Sequence, residues 1–331
     1  MAENLEDFGD VRTKVIETAV KDGVAHNISS KKRPEGEGKF VINFARAISE
    51  FENSMQKFPV KKVLYKSAFR GRGLEFESYR LHGEDDDASL IDWKASLRSN
   101  TLLSKQYVEE RQLNVYFLVD VSSSMLFGSS DKLKAEYAAE FVASLGHLIS
   151  NSGDNIGMVM FNGDVAKILH PSSSKNQFSL FMKFLADPSF YGGGFDLNKA
   201  IDHVLRTVNS QYTVFVLISD FIRTKKSDLK GLRSMGSKFE TFAVIIRDPV
   251  DENLPKTTYQ FSIEDPYTGR QMILDPEIAA ERYRKNALRQ KLLIKEMMKK
   301  SRIDFLELNT DRNFAMPLSI FLRNRSAGVR L

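Results

Sequence analysis

Residues 113–125 read LNVYFLVDVSSSM, and this stretch decides the fold. Leu113–Val119 is an apolar run rich in β-forming side chains, and Asp120 and three serines come directly after it. A strand written as a continuous apolar run is buried on both faces, which is typical of a parallel sheet covered by helices. The stretch therefore predicts a central strand that ends in a polar turn.

The same pattern continues downstream, where buried strands alternate with amphipathic helices. Further strands are predicted at 156–161, 165–170, 213–219, 239–246 and 303–308, and helices at 132–150, 176–186, 197–209, 226–235 and 311–324. This alternation predicts an α/β fold with a doubly wound, mostly parallel sheet. An insertion at about 248–300 interrupts it, with a hairpin that turns at 264–270 and a long charged helix at 276–300.

The residues before the sheet predict two smaller units. Residues 1–59 are expected to form an N-terminal helical segment, because 11–20 has helical spacing and 40–58 is amphipathic up to Pro59. Residues 60–112 are expected to form a small subdomain of short strands and turns. The main domain then covers 113–331.

Composition excludes several classes of protein. The chain has 331 residues, of which 42% are hydrophobic, which is enough for a buried core. It has no cysteine, which excludes disulfide scaffolds, thiol catalysis and cysteine-ligated zinc. No signal peptide or apolar run of membrane length is visible. We therefore expect a soluble, cytoplasmic protein without an integral membrane segment.

Oxygen-bearing side chains gather at the predicted carboxyl edge of the sheet. Asp120, Ser122 and Ser124 end the first strand, and Asp220 follows the strand at 213–219. The carboxyl ends of strands in a doubly wound sheet form the ligand crevice. A hard divalent cation such as Mg²⁺ suits these oxygens.

The glycine-rich stretch 191–197 (YGGGFDL) lies between these two strands in sequence and can bring Asp196 close to the same cation. The candidate metal ligands are therefore Asp120, Ser122, Ser124, Asp220 and Asp196.

Simpler interpretations stay open for each of these residues. Aspartate and serine after a strand commonly satisfy backbone N–H groups in a turn, and a glycine run is commonly a connector. A serine hydrolase would need a base near the serine loop, and the sequence places no histidine there. The chain also lacks a phosphate-binding loop, so it is not itself an ATPase of that class.

Taken together, Asp-x-Ser-x-Ser, the glycine-rich loop and the later acid resemble the von Willebrand factor A fold and its metal-ion-dependent adhesion site. Upstream motifs resemble a bacterial family of unknown function, number fifty-eight in the domain-of-unknown-function series. They are Gly71-Arg-Gly-Leu-Glu-Phe76, Tyr79-Arg80 with Gly83-Glu-Asp-Asp86, Ile91-Asp92-Trp93-Lys94 and Arg98. The resemblance covers roughly residues 60–325.

This resemblance implies a non-enzymatic, metal-dependent protein-binding adaptor. Family members are encoded beside MoxR-type AAA+ ATPases, so such an ATPase is the expected partner. A second partner, the client, is expected to supply a carboxylate. Family members sometimes act near the inner membrane, so a peripheral location there is also expected. Asp120, Ser122 and Ser124 carry over as first-loop ligands, and Asp220 as the third-loop acid. Phe195 stands where the pattern has a threonine, and Asp196 is the substitute that the sequence offers.

An alternative function rests on positive charge. The helix at 276–300 carries eight Lys and Arg side chains, and the tail adds Arg323, Arg325 and Arg330. Such a surface could bind a nucleic acid or an anionic membrane. The modest net charge of +5 argues against nucleic acid.

Overall fold

The structure is a computed structural model. It describes residues 40–55, 93–105, 112–208, 212–256, 260–265 and 271–326, with short stretches at 14–16, 19–21, 24–26, 79–83, 88, 91 and 267–268. The described strands are β1 Lys14–Ile16, β2 Ala19–Lys21, β3 Val24–His26, β4 Tyr79–Leu81, β5 Leu103–Lys105, β6 Asn114–Asp120, β7 Asn155–Phe161, β8 Val165–Ser172, β9 Thr213–Ser219, β10 Glu240–Arg247, β11 Phe261–Glu264, β12 Gln271–Leu274 and β13 Asp304–Asn309.

The described helices alternate with the strands of the main domain. They are α1 Phe44–Met55, α2 Trp93–Ser99, α3 Lys134–Asn151, α4 Gln177–Ala186, α5 Leu197–Thr207, α6 Leu229–Lys238, α7 Pro249–Glu252, α8 Pro276–Lys300 and α9 Ala315–Ser326.

Six strands form the main sheet in the order β13-β10-β9-β6-β7-β8. All neighbours pair in parallel except β7 and β8, which pair antiparallel. β6 and β9 are fully buried apart from the half-exposed Asn114. The α/β fold with a mostly parallel sheet is therefore confirmed.

Alternate residues of β6 face two separate cores, which explains why the strand is apolar along its whole length. Phe117 faces a core to which α1, α3, α4 and α9 contribute side chains. Leu118 faces a second core built with α5, α6 and α8. Each such side chain contributes roughly 1.5–3 kcal/mol through its burial. The sheet is thus doubly wound, with helices on both faces.

The two central strands β6 and β9 lead into helices on opposite faces. The chain leaves β6 toward α3 on one face and leaves β9 toward α6 on the other. Diverging connections of this kind open a crevice at the carboxyl edge of the sheet. This geometry places Asp120 and Asp220 side by side, as the sequence predicts.

The N-terminal prediction is only partly confirmed. The amphipathic helix is present as α1, but the helix expected over 11–20 is wrong, since β1 and β2 lie there. β1 pairs antiparallel with β11 of the insertion hairpin, so its conformation depends on a strand distant in sequence. The predicted boundaries at 59–60 and 112–113 fall in or beside stretches outside the described residues, and the domain division stays a prediction.

The insertion has the predicted form. β11 and β12 pair as an antiparallel hairpin, and α8 begins at Pro276, with the Asp275 side chain accepting a hydrogen bond from the N–H of Glu277. Within the described residues, no helix has both the length and the apolar character needed to span a bilayer.

Candidate functional site: a crevice at the edge of the sheet

Asp120 ends β6 and is completely buried. Its Oδ1 accepts a hydrogen bond from the N–H of Ser122 at 2.9 Å, which closes a tight turn after the strand. Its Oδ2 accepts a hydrogen bond from the hydroxyl of Ser219 at 2.6 Å. Because Ser219 belongs to β9, this second bond ties the two central strands together at the edge of the sheet.

Asp220 follows β9 and is buried as well. Its Oδ1 accepts a hydrogen bond from the N–H of Ile222 at 3.0 Å, and the hydroxyl of Ser219 accepts one from the N–H of Phe221 at 2.9 Å. Phe221 has a φ of 54°, a left-handed conformation that a bulky residue rarely adopts. The two side-chain bonds hold this strained residue, and the chain turns sharply out of the strand.

Lys134, the first residue of α3, carries the positive charge of the crevice. Its Nζ lies 2.6 Å from Oδ2 of Asp220 and 3.3 Å from Oδ2 of Asp251, and all three side chains are at least 98% buried. Asp251 belongs to the short helix α7, and the same oxygen accepts a hydrogen bond from the N–H of Asp248 at 3.0 Å. The ammonium group is therefore held between two carboxylates from different elements.

The two predicted serines lie together under a tyrosine. The Oγ of Ser122 is 3.3 Å from the Oγ of Ser124 and 3.2 Å from the hydroxyl of Tyr267. Tyr267 lies in the turn of the insertion hairpin, where its N–H donates to Oδ1 of Asp265 at 2.9 Å. The guanidinium of Arg223 lies 4.3 Å from the centre of the tyrosine ring. The insertion thus covers the crevice with one side chain.

The glycine-rich loop adjoins the first loop through backbone contacts. The N–H of Gly192 donates to the carbonyl of Val121 at 2.7 Å, and the N–H of Ser123 donates to the carbonyl of Gly193 at 3.1 Å. Gly192 and Gly193 have φ values of 114° and 80°, which only glycine adopts freely. The loop therefore reaches the crevice with its backbone.

The side chains that follow the glycines have structural tasks. Oδ1 of Asp196 accepts a hydrogen bond from the N–H of Lys199 at 3.1 Å and caps α5. The Phe195 ring packs 6.0 Å from that of Phe161 in the core. The structure brings together Asp120, Ser122, Ser124 and Asp220, whereas Asp196 acts as a helix cap with no described contact to that group.

Burial and neighbouring charges set the protonation of the two central acids. Burial first, and then the charge of Asp220, raise the pKa of Asp120 to about 7. Burial also opposes ionisation of Asp220, but the ammonium of Lys134 outweighs it and lowers the pKa of this carboxyl. Although burial disfavours its charged form, Asp220 and Asp251 raise the pKa of Lys134. The crevice thus holds a firm ion pair beside an aspartate that titrates near neutrality.

The donor set does not suit Mg²⁺ as the residues are folded. The oxygens are of the right kind, but each carboxylate oxygen of Asp120 and Asp220 already accepts a hydrogen bond from the protein. A divalent ion would also lie beside the buried ammonium of Lys134. Among the described side chains, no three His, Cys, Asp or Glu residues form a group that could hold a metal. The Mg²⁺ site stays a prediction.

Sequence reasoning missed three residues of this crevice, namely Lys134, Tyr267 and Asp251. Lys134 left a signal, since it lies four residues before Ala138 on a face of α3 that is otherwise apolar. A lysine in the first helical turn also opposes the helix dipole, which indicates a nearby anion. Tyr267 and Asp251 lie in the insertion, and nothing local connects them with residues 120–124.

The chain has clear relatives of unknown function. The family profile described as "Protein of unknown function DUF58" matches residues 78–292, more than half of the chain. The chain therefore belongs to this family, as the upstream motifs indicate. It is 25% identical over 263 residues to the uncharacterized protein Rv1480 of Mycobacterium tuberculosis, covering 78% of this chain and 82% of that protein. The uncharacterized protein Mb1516 of Mycobacterium bovis matches with the same values.

Two solved structures resemble the chain at low sequence identity. One is the conserved hypothetical protein BatB from Bacteroides thetaiotaomicron, with 15% identity and a TM-score of 0.44 over 65% of this chain and 99% of that one. The other is an aerotolerance-related membrane protein from Bacteroides fragilis, with 16% identity and a TM-score of 0.42 over 65% and 99% of the two chains.

Proposed function

We propose that this protein is a non-enzymatic, cytoplasmic adaptor with a von Willebrand factor A-like domain that binds other proteins at the carboxyl edge of its sheet. The observation that carries the proposal is the convergence of three loops and the insertion hairpin on one crevice. Ser219 contacts Asp120 at the end of β6, and Gly192 and Tyr267 contact the loop that follows it. Such an edge is where open α/β sheets bind their ligands.

The chemistry of the crevice favours binding over catalysis. The hydroxyl of Ser122 contacts the hydroxyls of Ser124 and Tyr267 and the carboxylate of Asp120, and no described contact joins it to a histidine. A serine nucleophile needs a base within hydrogen-bond reach. Asp120 is a hydrogen-bond partner of both the backbone N–H and the hydroxyl of Ser122, but its carboxylate also accepts from Ser219 and is completely buried. These contacts support a role for the serines in holding the loop.

A MoxR-type AAA+ ATPase is the partner that we propose, on the basis of the family resemblance. The test uses the purified protein and a purified MoxR-type ATPase, with binding measured by biolayer interferometry in EDTA and in Mg²⁺. Lys225 is exposed on the loop that follows Asp220, at the proposed edge. Lys175 is exposed after β8, which runs antiparallel to its neighbour and therefore ends at the opposite edge.

The two lysines make a matched pair. Lys225→Glu is expected to weaken binding at least tenfold, and Lys175→Glu is expected to leave it unchanged. Binding that is absent in both buffers, or that responds equally to the two variants, contradicts the proposal.

Ion pairs of the basic helix α8 argue against the alternative function, an anion-binding surface. Lys291 and Lys295 contact Glu307, Lys285 contacts Glu281, and Lys300 contacts Glu296. Arg325 is buried against Asp304 and Glu240. It therefore does not contribute to an exposed basic surface, contrary to the expectation from the sequence. Arg330 lies outside the described residues. Much of the positive charge is thus compensated within the protein.

A further inference from the structure

We propose that the ammonium of Lys134 takes the electrostatic place of a bound divalent cation in this crevice, so that the native site is complete without a metal ion. Removing that ammonium would then turn the same carboxylates into a divalent-cation site. This inference concerns the state of the crevice and does not depend on the identity of any partner.

The ammonium of Lys134 lies between two of the carboxylates of the crevice. Nζ of Lys134 lies within 2.6 Å of Asp220 and 3.3 Å of Asp251, and it is buried with them. Asp220 is the acid that the sequence assigns to a metal. The ammonium of Lys134 therefore occupies one side of the carboxylate cluster that a metal ion would need.

The ammonium is held at this position although the dipole of helix α3 opposes it. Lys134 is the first residue of α3, and the N-terminus of a helix carries partial positive charge. A buried ammonium at that position needs compensating anions. Asp220 and Asp251 supply them from two other elements. Lys134 and the two aspartates therefore stabilise one another's buried charges.

The remaining oxygens of Asp120 and Asp220 already accept hydrogen bonds from the protein. Mg²⁺ requires oxygens at about 2.0–2.1 Å in a nearly octahedral arrangement. Oδ1 and Oδ2 of Asp120 accept from Ser122 and Ser219, and Oδ1 of Asp220 accepts from Ile222. Binding would have to displace these donors while adding two positive charges next to an existing one. The native crevice therefore rejects divalent cations.

Two variants separate charge from space. Lys134→Ala removes the ammonium and the three carbons beyond Cβ, which leaves room for an ion with its water molecules beside Asp220 and Asp251. Lys134→Met removes the same charge but fills the space with an apolar chain. The proposal predicts divalent-cation binding in the first variant and much weaker binding in the second.

The experiment titrates Mn²⁺ into each purified protein and measures free Mn²⁺ by electron paramagnetic resonance, with Mg²⁺ competition and thermal melting as second readouts. The native protein is expected to bind no stoichiometric Mn²⁺ and to melt at the same temperature in Mg²⁺ and EDTA. Lys134→Ala is expected to bind one ion at least tenfold more tightly than the native protein and Lys134→Met, and to be stabilised by Mg²⁺. Adding Asp251→Asn, which removes one of the two carboxylate charges at this position, should weaken that binding.

One tight ion bound by the native protein and lost on Asp120→Asn would overturn the proposal. A folded Lys134→Ala protein with the native protein's lack of binding would overturn it as well. Where Lys134→Ala does not fold, Lys134→Gln, which is neutral and shorter than lysine, replaces it under the same criteria.

Discussion

The Nζ of Lys134 lies 2.6 Å from Oδ2 of Asp220, and each side chain exposes only 1% of its surface. A buried ion pair adds little to net stability compared with an apolar pair, but the loss of one partner is costly because the other charge stays buried. This asymmetry makes the pair directly testable.

Lys134→Met is expected to lower the free energy of unfolding by about 3–5 kcal/mol, because Asp220 and Asp251 lose their buried counterion. Urea denaturation at pH 7 measures the change. The double variant Lys134→Met with Asp220→Asn should recover part of the loss, since the uncompensated charge is removed.

Lys285→Met on α8 is the matched control for this prediction. Its side chain is 66% exposed and its Nζ lies 2.7 Å from Glu281, so its loss should cost far less stability than the loss of Lys134. Similar effects of the two lysine variants would contradict the assignment of a buried ion pair.

The raised pKa of Asp120 predicts that stability falls as the pH rises toward 8. Burial and the charge of Asp220 raise this pKa to about 7, so the folded protein binds a proton that the unfolded chain has released. A native state that binds more protons loses stability with increasing pH, here between about pH 4 and pH 7. Asp220 has a lowered pKa, and its contribution is lost only at more acidic pH.

Melting temperatures between pH 5 and pH 8 test this prediction, with Asp120→Asn as the variant that removes the titrating group. The variant should flatten the profile over this range. Asp131→Asn, at an exposed aspartate downstream of the same loop, should retain the native slope. A native profile that is flat or rises between pH 5 and pH 8 would rule out the proposed state of Asp120.

Tyr267 is expected to maintain the raised pKa of Asp120 because it shields the crevice from water. Its hydroxyl lies 3.2 Å from Oγ of Ser122, and its ring packs against Arg223. Tyr267→Ala admits water, so the pKa of Asp120 should fall and the midpoint of the pH profile should move to lower pH.

Tyr267→Phe keeps the ring and removes the hydroxyl that contacts Ser122 and Ser124, and each such hydrogen bond is worth about 0.5–1.5 kcal/mol. This variant should keep the native midpoint with a small loss of stability. The midpoint is read from the carboxyl carbon shift of Asp120 by nuclear magnetic resonance. The same midpoint in the alanine variant and the native protein would show that the hairpin does not shield the acid.

The main sheet could be predicted from sequence because each strand is buried on both faces, which gives continuous apolar runs such as Thr213–Ser219. The limits of α8 could be predicted as well, since Asp275 and Pro276 mark its start. β1 could not be predicted. It has three residues, and its extended form depends on pairing with β11, which local periodicity does not reveal.

The crevice, too, could be predicted only in part from the local sequence. Asp120, Ser122, Ser124 and Asp220 end adjacent strands, so the topology alone brings them together. Their electrostatic environment depends on Lys134 and on an insertion whose position over the edge is set by packing. The sequence pattern therefore predicts that these side chains lie together, while the charges around them can be determined only from the structure.

Glu136 is expected to hold the N-terminal helix α1 on the main domain. This carboxylate is completely buried, and its Oε1 accepts a hydrogen bond from the N–H of Val41 at 2.7 Å. Phe51 of α1 packs 5.7 Å from the ring of Phe314, which adds an apolar contact. Glu136→Ala removes this charged acceptor from the N–H of Val41, and a hydrogen bond to a charged group contributes about 1.5–3 kcal/mol. Hydrogen exchange in residues 41–55 should therefore accelerate roughly tenfold, while exchange in β6 stays slow.

Ser54→Ala provides the comparison, because Ser54 is an exposed residue of α1 whose hydroxyl donates to the carbonyl of Glu50 in the same helix. This bond lies within α1 and does not join the helix to the rest of the protein, so exchange in α1 should change less than threefold. If Glu136→Ala left exchange in 41–55 unchanged, α1 would be held by its apolar contacts alone. The docking of α1 would then depend on Phe51 and Phe314, whose ring contact is independent of the carboxylate.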